Sequence, residues 1–127
     1  MESLLVRWFE IMDSAAPERI LDLVADDFAF SIVFSTGDEA TARDFSGGRS
    51  AMDGYLAQRE RGTRVHRLLA VSTVGDTEFA LGEVIRLGVW EASFLASAVL
   101  DAEGRVRRLL MGRSPGVAFT PLVPAEA

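Results

Sequence analysis

The chain has 127 residues, a formal net charge of −6, 49% apolar residues and no cysteine. That length and composition predict one ordinary domain over 1–127, large enough for a hydrophobic core without disulfide or metal staples. The missing thiols exclude a disulfide framework and thiolate metal sites, and the acidic balance argues against a nucleic-acid partner.

All thirteen basic residues are Arg, so no Schiff-base lysine is available. Arg7 and Glu10 break what would be the apolar core of a signal peptide, and no apolar run reaches membrane-spanning length. The expectation is a cytoplasmic protein without membrane contact. A mean hydropathy of +0.19 is high for a small soluble domain and predicts apolar surface covered by a partner chain.

Leu4, Leu5, Trp8, Phe9 and Met12 recur at helical spacing and predict a first helix. Ser14-Ala15-Ala16 interrupts it. Pro17 suits the first turn of a second helix, whose buried face is Ile20, Leu21 and Val24. The period then becomes two: Phe28, Phe30, Ile32 and Phe34 alternate with smaller or more polar neighbours, as in a strand. Residues 35–47 read as a polar loop. Gly47-Gly48 opens a third helix with Ala51, Met52, Tyr55 and Leu56 on one face, and Gly62 is a plausible stop.

Four strands follow, at 63–74, 77–87, 90–100 and 105–114. Gly75-Asp76 forms the first tight turn, and Asp101-Ala102-Glu103-Gly104 forms the last. Pro115, Pro121 and Pro124 mark an irregular tail over 115–127. The predicted order is α-α-β-α-β-β-β-β, an α+β fold with three helices from the N-terminal half packed on a curved antiparallel sheet.

This order resembles the nuclear transport factor 2-like superfamily, in its SnoaL-like and ketosteroid isomerase-like branch. The local carriers are Val24-Ala25-Asp26-Asp27-Phe28, Gly48-Arg49-Ser50-Ala51-Met52 and Asp101-Ala102-Glu103-Gly104-Arg105-Val106. The resemblance implies a cone-shaped fold with a pocket on the concave sheet face and a homodimer through the convex face. It also implies that the isomerase tyrosine matches Trp8 and that its two aspartates match Ile32 and Ala96. None of the three retains the needed proton chemistry, so the usual ketosteroid isomerase mechanism is not expected.

Unbroken pairing across Gly75-Asp76 sets Val74 opposite Thr77, Leu68 opposite Glu83 and His66 opposite Ile85. Pairing across the last turn sets Phe94 opposite Met111 and Ala92 opposite Arg113. One face then collects His66, Leu68, Phe79, Leu81, Glu83 and Ile85 with Phe94, Ala96, Leu109, Met111 and Arg113. The resemblance makes this the pocket face, to which Trp8, Phe30, Ile32, Phe34 and Tyr55 would also contribute.

His66 and Glu83 then become diagonal neighbours, and Arg113 lies one row away. Histidine is the side chain suited to proton exchange near neutrality. The expectation is an acid/base pair of His66 and Glu83, with Arg113 orienting an anionic substrate group. The plainer expectation is an ion pair of Glu83 with Arg113 and a structural His66.

The opposite face, where Val65, Val71, Val84, Leu95, Val106 and Leu110 mix with Arg67, Arg86 and Arg108, would be the homodimer interface. Gly112-Arg113-Ser114-Pro115-Gly116 matches the nucleophile-elbow pattern, but no helix is predicted after the serine, so it carries no weight. One histidine, no cysteine and no phosphate-binding glycine pattern predict neither metal nor cofactor. Two functions remain open. One is a cofactor-free isomerase, cyclase, lyase or hydratase acting on a small, mostly apolar metabolite. The other is a non-catalytic ligand-binding or dimerisation module.

Overall fold

The computed structural model describes residues 3–35 and 42–120. Helix α1 spans Leu4–Met12 and buries Leu4, Leu5, Trp8, Phe9 and Met12. Its first turn is capped from a distance. The carboxylate of Glu78 accepts from the Leu4 N–H at 3.1 Å, the Leu5 N–H at 3.0 Å and the Ser3 hydroxyl at 2.7 Å. Two of the amide donors that every helix start leaves unsatisfied thus have a charged partner. Burial alone would raise the Glu78 carboxyl, but donation from Leu5, Ser3 and Leu4 holds it below its ordinary value.

A 3₁₀ helix, Pro17–Leu23, follows with Pro17, Ile20 and Leu23 buried. Strand β1, Val24–Ser35, pairs antiparallel with β2, Ala42–Gly47. Helix α2, Arg49–Gln58, buries Met52 and Leu56. Strands β3 (Arg64–Val74), β4 (Thr77–Arg86), β5 (Val89–Leu100) and β6 (Val106–Ser114) form an antiparallel meander. Strand β6 then pairs parallel with β1, so the order across the sheet is β2-β1-β6-β5-β4-β3. The sheet is therefore mixed rather than wholly antiparallel. It also has an edge strand where a loop was expected over 42–47. Residues 36–41 and 121–127, which include the rest of that loop and of the expected tail, lie outside the described residues.

All three helices pack on one sheet face. Phe28, Phe30 and Ile32 of β1, Ala80 and Val84 of β4, Phe94, Ala96 and Ala98 of β5, and Leu109 and Met111 of β6 form the core with α1, the 3₁₀ helix and α2. Val84 and Val106, expected on the outer face, are both 0% exposed in this core.

Bulges explain that difference: for Val106 it is Arg107, the extra residue on β6 between the pairs Val99↔Arg108 and Leu100↔Val106, and for Val84 it is a bulge on each neighbouring strand. Pairing of β3 with β4 runs as expected from Val74↔Thr77 to Ala70↔Leu81, then skips Leu69 and resumes at Leu68↔Gly82. Because side chains alternate, one extra residue inverts the face of everything beyond it. Glu91 is the extra residue on β5, between the pairs Val84↔Ala92 and Ile85↔Trp90.

Candidate functional site

Between α2 and the sheet lies a cavity of about 200 Å³, lined by Ile32, Phe34, Tyr55, Gln58, Arg59, Glu60, Arg64, His66, Met111 and Arg113. Ile32, Phe34 and Met111 come from the neighbouring strands β1 and β6, in the register Ile32↔Met111 and Phe34↔Arg113. The deeper part of the cone is filled. Trp8 is 2% exposed and packs on Phe28, while Phe30, Phe94 and Ala96 are buried beside it. Trp8 and Phe30, expected as pocket lining, are core residues on this side of the sheet, and Phe94 and Ala96, also buried in the core, border an open groove of the outer face. Large aromatics from three elements, α1, β1 and β5, occupy the space that a deep pocket would need.

His66 is held tightly. Its ring Nδ1 lies 2.7 Å from Oδ1 of Asp13, and its backbone N–H donates to Asp13 Oδ2 at 2.7 Å. The ring stacks on Phe9 with centroids 4.8 Å apart and meets Phe94 edge-on at 5.5 Å. A carboxylate on Nδ1 selects the Nδ1–H tautomer of the neutral ring, so Nε2 is the nitrogen open to a ligand. Asp13 terminates α1, and its own N–H donates to the Phe9 carbonyl at 3.0 Å. The helix end thus positions the carboxylate.

Glu83 is elsewhere. The bulge at Leu69 pairs it with Arg67, not Leu68, and turns its side chain to the outer face. His66, paired with Val84, stays on the helix side. The expected His66–Glu83 pair is therefore not formed, and neither is a Glu83–Arg113 ion pair. Glu83 is 0% exposed beneath the segment that follows β6. It accepts from Arg67 Nη2 at 2.7 Å, the Thr120 hydroxyl at 2.7 Å and the backbone N–H groups of Phe119 and Thr120 at 3.2 and 3.3 Å. The Arg67 guanidinium is the main cause that holds its carboxyl down at about 2, against the opposing effect of burial. These contacts make Glu83 a clamp for the chain end.

Arg113 does face the cavity. Its guanidinium lies over the Phe34 ring at 4.7 Å and donates to Glu91 at 3.0 Å. The bulge brings Glu91 to the helix side, where Arg64 also grips it through Nε at 2.8 Å and Nη2 at 3.0 Å. Arg64 reaches Glu60 at 3.2 Å, and Arg86 holds Glu60 with two bonds of 2.9 Å. Burial is the main influence on Arg113 and lowers its proton affinity, as expected for a partly desolvated cation. Asp13, Arg64, Glu60 and Glu91 were not singled out in the sequence. A bulge position, which residue types do not announce, brings Glu91 to the site, whereas Arg64 shares the face of His66 by plain alternation.

Phe79 and Leu81, expected in the pocket, are on the outer face. With Val33, Leu95, Leu110, Phe119 and others they line an open groove of about 890 Å³, partly roofed by the segment after β6. Ser93 donates to the Val117 carbonyl at 2.6 Å and pins that segment. Ser114 ends β6, and its hydroxyl accepts from the Gly116 N–H at 3.1 Å in a local turn, with no helix among the described residues that follow, 115–120. Among the described residues no group of three or more potential ligands could hold a metal, and no helix is long and apolar enough to cross a membrane.

No family model matches the sequence, and no curated protein is similar to it. Solved structures are similar in fold. A SnoaL-like candidate isomerase from Agrobacterium tumefaciens superposes with a TM-score of 0.65 at 10% identity, covering 86% of this chain and 92% of the other. A candidate polyketide cyclase from Sinorhizobium meliloti gives 0.63 at 16% identity, covering 87% and 94%. A SnoaL-like protein from Burkholderia thailandensis gives 0.63 at 16% identity, covering 86% and 91%. The chain has the nuclear transport factor 2-like fold. Within this fold the cavity lies where helix α2 meets strands β1, β3 and β6. Identity this low carries the fold and no activity.

Proposed function

We propose that the chain binds a small metabolite in the cavity beside α2 and performs cofactor-free acid/base chemistry on it. His66 Nε2 exchanges the proton, Asp13 orients the ring, and Arg113 faces the group on which negative charge develops. The observation that carries this reading is the Asp13–His66 dyad at the wall of a cavity that also receives the half-buried guanidinium of Arg113. A histidine oriented by a carboxylate through Nδ1 is arranged to work through its other nitrogen. The solved structures of like fold include a candidate isomerase and a candidate polyketide cyclase, which suits the same class of chemistry.

The test is proton exchange. Wild-type protein is incubated in D₂O with a panel of small enolisable carbonyl compounds, and deuterium uptake is followed by NMR. The expected result is accelerated exchange for at least one compound, falling by about a hundredfold or more in His66→Asn. Unaccelerated exchange across the panel, or exchange indifferent to His66→Asn, would favour the non-catalytic binding module.

A second copy of the chain on the outer sheet face belongs to the same proposal. Phe79, Leu95 and Leu110 are 42%, 66% and 58% exposed there, a larger apolar display than isolated surface residues make. Sedimentation at micromolar concentration should give a dimer, and Leu95→Glu with Leu110→Glu should give a monomer. A wild-type monomer would contradict it.

A further inference from the structure

The charges around the cavity do not balance. Arg86, Arg64 and Arg113 form one connected network with Glu60 and Glu91, so three guanidiniums share two carboxylates. Arg64 and Arg86 each hold a carboxylate through two bonds, whereas Arg113 has a single bond to a glutamate that Arg64 already grips. Among the described residues Glu91 is the one carboxylate that reaches Arg113. Arg59, which also lines the cavity, donates to the Met12 carbonyl at 3.1 Å, a contact that neutralises no charge. With Asp13 beside His66 counted as well, four guanidiniums stand against three carboxylates, so a chain with net charge −6 keeps surplus positive charge at one partly enclosed place.

A partly desolvated cation without full compensation is costly unless a counter-charge arrives. An arginine that presents open donors offers a carboxylate two parallel hydrogen bonds. Ile32, Phe34 and Met111 line the same cavity beside this charge, with the Phe34 ring against the Arg113 guanidinium. The volume of about 200 Å³ is below the range typical of drug-sized ligand pockets, roughly 300–1,000 Å³. We infer that the ligand of this cavity is a compact organic carboxylate, its anionic end on Arg113 and its apolar body on Ile32, Phe34 and Met111. This rests on the cavity of the proposed function but not on its proton chemistry. Combined with that reading, it places a substrate of the small keto-acid or enoic-acid class beneath His66.

The test measures binding, not turnover. Benzoate, trans-cinnamate and crotonate are each titrated into the full chain by calorimetry, against the matching neutral alcohols. At least one acid should bind saturably at millimolar concentration or below, about tenfold or more tighter than its alcohol. Arg113→Gln should remove that preference, and Arg67→Gln, on the outer face, should leave it intact. Arg113→Lys keeps the charge and should retain part of the preference if Arg113→Gln proves unstable. Because the readout is equilibrium binding, a protein that prefers the acid yet accelerates no proton exchange keeps this inference and sinks only the catalytic one. Acid and alcohol binding alike, no saturable binding by any acid, or a preference indifferent to Arg113→Gln would each overturn it. Proton exchange restricted to neutral carbonyl compounds would leave the catalytic reading standing and sink this one.

Discussion

Asp13, at the end of α1, holds His66 of β3 with both carboxylate oxygens, one on the ring Nδ1 and one on the backbone N–H, each at 2.7 Å. Ring orientation and strand position are therefore set by the same side chain. In Asp13→Asn, one face of the amide can still accept, but the charge that selects the Nδ1–H tautomer is gone. Nitrogen NMR of the ring should show the Nδ1–H form in wild type and a mixture in the variant. Proton exchange should fall in kcat by about tenfold to a hundredfold while carboxylate binding persists. A purely structural Asp13 would lower stability without moving the tautomer populations.

Glu83 gives a prediction on pH. Its carboxyl sits at about 2 in the folded chain against an ordinary value of 4.5. A depressed folded value means that the stabilisation is complete above about 4.5 and is lost as pH falls toward 2. Acidification through that window should release the segment that Glu83 clamps. Hydrogen exchange at Phe119 and Thr120, whose N–H groups it accepts, should accelerate accordingly. Glu83→Gln should show fast exchange at both amides already at neutral pH. The difference in stability between wild type and variant should shrink as pH falls. A difference that stays constant from neutrality to pH 2 would contradict the clamp.

How far the fold was legible follows from residue patterns. Helix α1, the hairpin turn at Gly75-Asp76 and the strands from β3 to β6 announce themselves through period and turn chemistry. Strand β2 does not: in Ala42-Arg43-Asp44-Phe45-Ser46-Gly47 only Phe45 is a large apolar residue, because an edge strand needs little burial. The candidate site was legible in part. His66 and Arg113 face the cavity as the alternation implied. Glu83 does not, because a single unpaired residue, Leu69, inverts β4 relative to β3. A bulge leaves no mark in side-chain type, so the partner that His66 does have, Asp13, lay 53 positions away and out of sight.

Gly82 marks a close approach that the alternation alone would miss. It pairs with Phe94 and Leu68, and a β-carbon there would lie 2.5 Å from the Phe94 ring and 2.8 Å from the Arg67 carbonyl. The ring cannot swing freely, since it also packs against Phe9 and His66. Gly82→Ala should therefore cost about 1–3 kcal/mol in denaturant unfolding. It should also perturb the His66 ring resonances, because the displaced Phe94 edge rests on that imidazole. An alanine variant of wild-type stability would mean that the strand shifts to make room.

Leu87 is the reverse case, a residue at odds with its own backbone. It forms the β4–β5 turn with Gly88 at φ of 51° and 81°, the left-handed pair of a type I′ hairpin. A leucine in that region costs roughly 1–2 kcal/mol, whereas asparagine tolerates it. Its side chain is 66% exposed, so little burial is lost on replacement, and its N–H bond to the Thr63 carbonyl at 2.8 Å survives any side chain. Leu87→Asn should then stabilise the fold by about 0.5–1 kcal/mol and raise Tm by about 3 °C. A fall in Tm would mean that the exposed leucine is covered in solution by a contact that outweighs the backbone strain. Repeating the melt at tenfold lower protein concentration would then show whether a second copy supplies that contact.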